Sequence, residues 1–269
     1  MSKQDIRGAA LITGASTGIG ATYADRLARA GHDLVLVARD TARLEALAAK
    51  LKADTGVKID IITADLTNKA DLAKVEARLA DDAAIDILIN NAGVSLAGPF
   101  IQQDLEKVEQ MIQLNILGVT RLAHAAARAF AARDQGAIVN ISSVVGLAPE
   151  LQMAVYGATK AYVTYFTQTL RLQLSPNIHL QAVLPGATRT EIWDRSGSGG
   201  ADSVDPNMLM EVDDLVDAAL AGFFQGELIT IPSLPDAADF SAYDAARAKL
   251  LPNLSRNRPA DRYKVGEPA

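Results

Sequence analysis

The sequence predicts a doubly wound α/β fold, in which one parallel β-sheet is covered by helices on both faces. Two observations support this prediction. Short apolar runs, many of them β-branched, alternate along the chain with longer segments of helical period. The runs are apolar on both faces of the strand, which is typical of a parallel sheet buried by its βα crossovers. We therefore expect a three-layer αβα arrangement.

Each strand prediction rests on a short run of apolar residues, and each helix prediction on an Ala-rich or Leu-rich stretch with helical period. The predicted strands are 9–13, 34–38, 57–63, 86–90, 137–141, 178–184 and 227–231, and the predicted helices are 19–30, 41–53, 68–80, 105–132, 155–174, 212–224 and 236–250. The Gly- and Ser-rich run 196–200 predicts a mobile loop, because glycine weakens both helices and strands.

No linker or internal repeat divides the sequence, and the predicted sheet runs nearly from end to end. We therefore expect a single domain over residues 1–269. Within it, residues of about 191–210 are expected to form a substrate lid, and 236–269 a C-terminal helix and tail.

Composition and charge exclude several classes of protein. Of the 269 residues, 49% are hydrophobic and 22% are charged, as in an ordinary globular domain. The 26 basic and 32 acidic residues give a net charge of -6 with no basic stripe, which argues against a nucleic-acid partner. The absence of cysteine excludes disulfides and Cys-ligated metal, and we expect no metal site. With no signal peptide and no membrane-length apolar segment, we expect a cytoplasmic protein without membrane contact.

A glycine-rich turn, Thr13-Gly-Ala-Ser-Thr-Gly-Ile-Gly20, follows the first predicted strand. Glycines let the backbone approach a phosphate, and the helix that follows offers unpaired N–H groups, so a pyrophosphate would fit there. The spacing differs from the G-x-G-x-x-G fingerprint, which leaves a purely structural turn open. The run also matches the G-x-S-x-G elbow of serine hydrolases, but His179 lies within a strand-like run and no HGGG-type segment is present.

Tyr156 and Lys160 lie four residues apart in a predicted helix, and so on one face of it. An unperturbed tyrosine has a pKa of about 10, and a nearby cation favours the phenolate, which makes the phenol a usable general acid and base. An exposed surface pair would have the same spacing. The strand 137–141 upstream ends in Ser142 and Ser143, at the edge of the sheet where open α/β folds bind ligands.

Taken in order, these segments resemble the short-chain dehydrogenase/reductase family. The matching residues are Thr13-Gly-x-x-x-Gly-x-Gly20, Asn90-Asn-Ala-Gly93, Asn115, Ser143, Tyr156-x-x-x-Lys160 and Pro185-Gly186, and they cover roughly residues 8–231. The resemblance implies a Rossmann-like fold and an NAD(P)-dependent oxidoreductase that interconverts alcohols and carbonyl compounds. It also implies a homodimer or homotetramer, in which helices 105–132 and 155–174 pair across a twofold axis.

By the same resemblance, Tyr156 donates a proton to the carbonyl oxygen in reduction, and Ser143 hydrogen-bonds that oxygen. Lys160 holds the nicotinamide ribose and lowers the pKa of Tyr156. Asn115 anchors a water in the proton relay, although a plain buried amide in helix 105–132 is the alternative. The implied cofactor contacts are Gly14, Ser16, Thr17, Gly18, Ile19, Gly20, Arg39, Asp65, Leu66, Asn91, Ala92, Gly93, Tyr156, Lys160, Pro185, Gly186, Thr188 and Thr190.

Some of these cofactor contacts have a structural alternative. The run 90–93 also suits an ordinary turn, Asp65 suits a helix cap, and Pro185-Gly186 suits a plain turn, although a turn does not explain the threonines that follow.

The end of the second predicted strand indicates which dinucleotide is bound. Ala38 stands where NAD enzymes of the family carry Asp, and Arg39 follows it, which favours the 2′-phosphate of NADP(H) over NAD(H). Asp40 would weaken this preference if it paired with Arg39. Thr17 stands where many NADP-preferring relatives carry a second basic residue.

The substrate pocket is expected to be mostly apolar, which favours a small uncharged ketone or aldehyde. The strongest wall candidates are Val145, Met153 and Trp193, and the others are Leu96, Val144 and Met208. Three alternatives stay open: an NAD-linked alcohol dehydrogenase, an acyl-carrier ketoreductase that docks its carrier on arginines 121, 128 and 133, and a non-catalytic NADP-binding regulator.

Overall fold

The computed structural model describes residues 8–197 and 199–263. In this part of the chain, seven strands form one sheet in the order β3-β2-β1-β4-β5-β6-β7, and every neighbouring pair is parallel. The strands are β1 (Ala9–Thr13), β2 (Leu34–Ala38), β3 (Ile59–Thr63), β4 (Ile85–Asn90), β5 (Gly136–Ile141), β6 (Ile178–Val183) and β7 (Ile229–Thr230). The strand order reverses direction between β1 and β4, so the predicted doubly wound, Rossmann-like fold is confirmed.

Helices cover both faces of this sheet. They are α1 (Gly18–Arg29), α2 (Thr41–Thr55), α3 (Lys69–Asp81), α4 (Leu105–Ile112), α5 (Val119–Arg133), α6 (Ala154–Arg171), α7 (Ile192–Ser196) and α8 (Val212–Gln225). Alternate residues of a strand point to opposite faces, so Ile12 packs in the core with α1, α2 and α8, and its neighbour Leu11 packs in the core with α3 and α5.

The chain divides into two compact units, of which the first ends at Pro232 and the second begins at Ser233. The second unit contains helix α9 (Ala237–Ala248), whose N-cap Asp236 accepts a hydrogen bond from the N–H of Ala238. The single domain expected over residues 1–269 stays a prediction, and so does the substrate lid expected over about 191–210. Residues 1–7 and 264–269 of that predicted domain lie outside the described residues.

Side chains account for several differences between the predicted and observed boundaries. Asn68 accepts hydrogen bonds from the N–H groups of Ala70 and Asp71, so it caps α3 instead of beginning it. The guanidinium of Arg171 donates to the carbonyl oxygens of residues 174 and 175, which closes α6 before its predicted end. The predicted strand 227–231 is only Ile229–Thr230, because the N–H of Glu227 donates to the carbonyl oxygen of Gly222 at the end of α8.

Two predicted segments differ in part from the structure. The helix expected over 105–132 is interrupted by a π-helical segment, Gln113–Gly118, between α4 and α5. The loop expected over 196–200 begins inside a helix, since α7 extends to Ser196 and ends where Gly197 takes a φ of 81°. Ser198 in that run lies outside the described residues.

Among the described residues, no helix has the length and apolarity needed to span a bilayer. The same residues contain no group of three or more His, Cys, Asp or Glu side chains arranged to hold a metal ion. The cytoplasmic location stays a prediction.

Candidate active site

The candidate site lies at the carboxyl edge of the sheet, at the point where the strand order reverses. β1, β4, β5 and β6 are adjacent and parallel, and they end at Thr13, Asn90, Ile141 and Val183. The glycine turn, the run 91–93, the serines 142–143 and the run 185–186 follow these four strands directly. The topology therefore brings motifs that are far apart in the sequence to one edge.

The glycine turn fits close against the residues that follow β4. Gly14 has a φ of 65°, and a methyl group added to it would lie 2.8 Å from Nδ2 of Asn91. A methyl group at Gly20 would clash with the carbonyl oxygen of Gly14. α1 begins at Gly18 after Thr17, whose side chain makes no capping bond, so the first N–H groups of α1 are left for a ligand. The turn has the shape and donors that a pyrophosphate requires.

Asn91 and Thr13 clamp this turn to β4. The Nδ2 of Asn91 donates to the carbonyl oxygens of Thr13 at 2.9 Å and Gly14 at 3.2 Å. In return, the N–H groups of Asn91 and Ala92 both donate to Oγ1 of Thr13 at 3.0 Å. The run after β4 is thus more than an ordinary turn. Thr13, although quoted in the glycine motif, was not among the predicted contact residues; a polar residue at the end of an apolar strand was a usable signal.

Ser143, Tyr156 and Lys160 come together where β5 and α6 meet. The Oγ of Ser143 donates to the carbonyl oxygen of Pro185 at 3.2 Å and accepts from the N–H of Val145 at 3.3 Å. Lys160 is buried, and its Nζ donates to the carbonyl oxygen of Ile141 at 2.9 Å. The same Nζ lies 5.7 Å from the centre of the Tyr156 ring. Tyr156 and Lys160 are therefore not an exposed surface pair.

Burial controls the ionisation of the two helical side chains. Desolvation raises the pKa of Tyr156 to about 12, while its hydrogen bond with Ser143 acts in the opposite direction. Desolvation also lowers the pKa of Lys160 to about 8. The lowering of the Tyr156 pKa expected from Lys160 is therefore not seen: burial is the largest cause of the shift, and it raises this pKa. At neutral pH Tyr156 is a neutral phenol that is able to donate a proton.

Asn115 lies in the π-helical segment and is 1% exposed. Its Oδ1 accepts from the N–H of Val94 at 3.0 Å, and its Nδ2 donates to the carbonyl oxygen of Val94 at 2.9 Å. A methyl group added to Gly93 would lie 3.2 Å from Oδ1 of Asn115 and 3.5 Å from Nζ of Lys160. The expected relay residue is therefore buried next to Lys160, at a π segment of the kind that is frequent at functional sites.

The residues expected to select the dinucleotide lie after β2 and β3. Asp40 caps α2 by accepting from the N–H of Arg43 at 3.0 Å, so it is not the partner of Arg39. The guanidinium of Arg39 is exposed and lies 4.0 Å from the carboxylate of Asp65. Asp65 accepts from the N–H and the hydroxyl of Thr67, and therefore forms a local turn instead of capping α3.

The run 185–190 reaches from Ser143 back to the glycine turn. Thr188 donates its hydroxyl to the carbonyl oxygen of Gly186 at 3.1 Å. A methyl group added to Gly18 would lie 3.2 Å from Cγ2 of Thr190, so the start of α1 faces this run. Leu66 is instead buried in the core, so any contact of this residue with a cofactor would come from its backbone.

Comparisons with known proteins agree with this geometry. Residues 8–199 match the family model described as short chain dehydrogenase. The chain belongs to the short-chain dehydrogenase/reductase family. It is an NAD(P)-dependent oxidoreductase that acts on alcohol and ketone groups.

Two solved structures resemble this dehydrogenase over nearly its whole length. A short-chain dehydrogenase from Sphingobium yanoikuyae, in complex with NADPH, is 56% identical, with a TM-score of 0.93 over 96% of this chain and 100% of that one. A bulky-bulky ketone specific alcohol dehydrogenase from Comamonas testosteroni is 49% identical, with a TM-score of 0.88 over 96% and 99% of the two chains. A very-long-chain 3-oxoacyl-CoA reductase from Anas platyrhynchos is 34% identical over 68% of this chain. The matched region covers 60% of the length of that reductase.

The predicted substrate contacts of the dehydrogenase lie on three separate segments. Val145 belongs to the short 3-10 turn Val144–Gly146 after Ser143, Met153 directly precedes α6, and Trp193 lies on α7. The indole Nε1 of Trp193 donates to the carbonyl oxygen of residue 188 at 2.7 Å, which ties α7 to the run 185–190. Gln152, which directly precedes Met153, takes a φ of 57° as the C-cap of the short 3-10 turn Pro149–Leu151.

Proposed function

We propose that the dehydrogenase is an NADPH-dependent reductase of uncharged ketones, with Tyr156 as its general acid. One observation carries the proposal: a neutral phenol, Tyr156, lies beside the Ser143 hydroxyl and the buried ammonium of Lys160 at the carboxyl edge of the sheet. This set combines a proton donor, a hydrogen-bond donor for an oxygen and a cation, which are the groups that carbonyl reduction needs.

The chain's own residues fit a nicotinamide dinucleotide. We assign the pyrophosphate to the turn 14–20, the adenosine side to Asp65, Leu66 and the run 91–93, and the nicotinamide end to the run 185–190. When bound, the nicotinamide supplies the hydride. Lys160, whose Nζ already donates one hydrogen bond to Ile141, has further donors for a ribose hydroxyl.

In reduction, the Ser143 and Tyr156 hydroxyls would both donate to the carbonyl oxygen and hold it in place. The phenol proton of Tyr156 passes to that oxygen as the alcohol forms, and the positive charge of Lys160 stabilises the phenolate that remains. Asn115, which is buried next to Lys160, orders the path by which the proton is replaced. The reverse reaction begins with the phenolate and therefore favours higher pH.

NADPH is proposed as the preferred dinucleotide because Arg39 follows β2 and is not engaged by Asp40. A guanidinium at this place favours a 2′-phosphate, which NADH lacks. The relative from Sphingobium yanoikuyae was solved with NADPH, which supports the same assignment.

The substrate is proposed to be an uncharged ketone with apolar groups, because the predicted wall residues 145, 153 and 193 are apolar. The relative described as specific for bulky-bulky ketones favours this class. An acyl-carrier substrate is less favoured, because two of the three arginines on which its carrier would dock are already engaged. Arg121 pairs with Glu76, and Arg133 donates to the carbonyl oxygen of Ile85.

The test is a panel of ketones, aldehydes and alcohols, followed by the absorbance of NADPH, with NADH in parallel. We expect reduction of bulky apolar ketones with NADPH. Tyr156→Phe should lower kcat by about 100- to 10,000-fold with little change in NADPH affinity. Tyr162→Phe is the matched control, since it removes the same hydroxyl from the same helix, where it bonds Thr120.

A Tyr156→Phe enzyme within tenfold of the parent rate would refute the assignment of the general acid. An absence of turnover with every compound and both dinucleotides, in a protein that binds NADPH, would instead favour the non-catalytic regulator.

A further inference from the structure

Thr159 joins the side chain of Asn115 to the backbone of Tyr156. It lies on α6 between Tyr156 and Lys160, and it is 1% exposed. Its Oγ1 donates to the carbonyl oxygen of Tyr156 at 2.8 Å. The Nδ2 of Asn115 donates to the same Oγ1 at 3.2 Å. Thr159 therefore uses its single hydroxyl hydrogen on one partner and a lone pair on the other.

These bonds fix the orientation of the Asn115 amide. Its Nδ2 donates one hydrogen to the carbonyl oxygen of Val94 and the other to Thr159, while its Oδ1 accepts from the N–H of Val94. A flipped amide would place its NH₂ group against the N–H of Val94, which is unfavourable. Val94 ties Asn115 to the segment after β4, and Thr159 ties it to the helix that carries the proposed acid.

The position of Asn115 depends on such support. The π-helical segment that holds Asn115 lies between α4 and α5, and the side-chain bonds of Asn115 to Val94 and Thr159 tie it to two other segments. Oδ1 of Asn115 and Nζ of Lys160 also lie on the same side of Gly93, since a methyl group placed there would be 3.2 Å from the first and 3.5 Å from the second. A small movement of the Asn115 amide would therefore change its distance to the side chains of both Thr159 and Lys160 on α6.

We propose that Thr159 is a positioning residue, which holds Asn115 and Tyr156 in a fixed relation so that the proton lost by Tyr156 is replaced along the path that Asn115 orders. The inference rests on the proposed function, since that function gives Asn115 and Tyr156 their roles in proton transfer. Thr159 itself need not touch the substrate or the cofactor. It acts through the amide of Asn115 and the first turn of α6.

The same helix offers a matched control about two turns further on. The Oγ1 of Thr167 donates to the carbonyl oxygen of Val163 at 2.8 Å and accepts from Nδ2 of Asn140 at 2.9 Å. Thr167 is fully buried, like Thr159, and it joins a buried asparagine to α6 in the same way. Asn140 lies within β5, where it bonds Asn90 of β4. The two threonines thus differ in location and not in chemistry.

The experiment compares Thr159→Val, Thr159→Ser and Thr167→Val with the parent enzyme. For each variant, kcat and the KM of a reduced ketone are measured across pH, and NADPH affinity is titrated. We expect Thr159→Val to lower kcat by about 5- to 50-fold and to shift the apparent pKa of the kcat profile, because a misplaced relay group slows proton transfer. NADPH affinity and the KM should stay within about threefold. Thr159→Ser, which keeps the hydroxyl, should recover most of the parent kcat.

Thr167→Val should lower the melting temperature while its kcat and pH profile stay close to the parent. The inference is overturned if Thr159→Val keeps the parent kcat and profile, if Thr167→Val changes them equally, or if Thr159→Ser does not recover. If Thr159→Val does not fold, Thr159→Ala makes the same comparison. Tyr156→Phe separates the proposed function from the role of Thr159. Parent-like activity of Tyr156→Phe refutes the proposed function. If Tyr156→Phe loses activity while Thr159→Val stays parent-like, only the role of Thr159 is refuted.

Discussion

Replacing Arg39 is the sharpest test of the dinucleotide preference. The side chain of Arg39 is 69% exposed, and the carboxylate of Asp65 lies 4.0 Å away, at the limit of an ion pair. Exposed pairs of this kind contribute about 0–1 kcal/mol, so little free energy is lost when Arg39 turns to a phosphate. A charge-assisted hydrogen bond to that phosphate contributes about 1.5–3 kcal/mol.

The net contribution of Arg39 to NADPH binding is therefore about 0.5–3 kcal/mol, which corresponds to about 2- to 150-fold in Kd. We expect Arg39→Ala to weaken NADPH by that factor and to leave NADH within about threefold. Arg39→Asp should go further and reverse the preference, because it places a repulsive carboxylate at the 2′-phosphate and an acceptor near the 2′-hydroxyl of NADH.

The assay is a fluorescence titration of both dinucleotides against the parent, both Arg39 variants and Arg43→Ala. Arg43→Ala is the control, because it removes the same charge four residues away, where the guanidinium donates to both carboxylate oxygens of Glu191 at 2.9 Å. Equal affinities of the parent for NADPH and NADH would refute the reasoning. So would an Arg43→Ala variant that loses NADPH affinity as strongly as Arg39→Ala, since the effect would then be one of net charge.

Lys160→Ala should weaken NADPH binding and turnover together and move the residual activity to higher pH, because Tyr156 loses the cation that stabilises its phenolate. The measurements are a pH profile of the rate and a titration of NADPH. A pH profile unchanged in position would contradict this expectation. Tyr165 and Leu172, which are 69% and 86% exposed near the C-terminal end of α6, favour a dimer or tetramer through that helix. Light scattering at micromolar concentration that gives the mass of a single chain would refute the oligomer. The segment 196–207 should gain protection from hydrogen exchange when NADPH and a ketone bind, and unchanged exchange would count against a lid.

The sequence by itself determined the sheet, the helices around it and the main chemical groups. These depend on local patterns: apolar runs of strand length, helical periodicity, and glycines at the first turn. The spacing of Tyr156 and Lys160 placed both on one helical face, because a helix of any fold repeats at nearly that interval. The predicted role of Arg39 in selecting the dinucleotide likewise depended only on its position directly after β2.

Tertiary structure decided how these groups are held and ionised. Asn91 bonds Thr13 across 78 residues, and Asn115 bonds Thr159 across 44. The π segment at Asn115 and the burial that raises the pKa of Tyr156 likewise come from packing against distant segments. A local pattern carries no information on such contacts, since they exist only when the chain is folded.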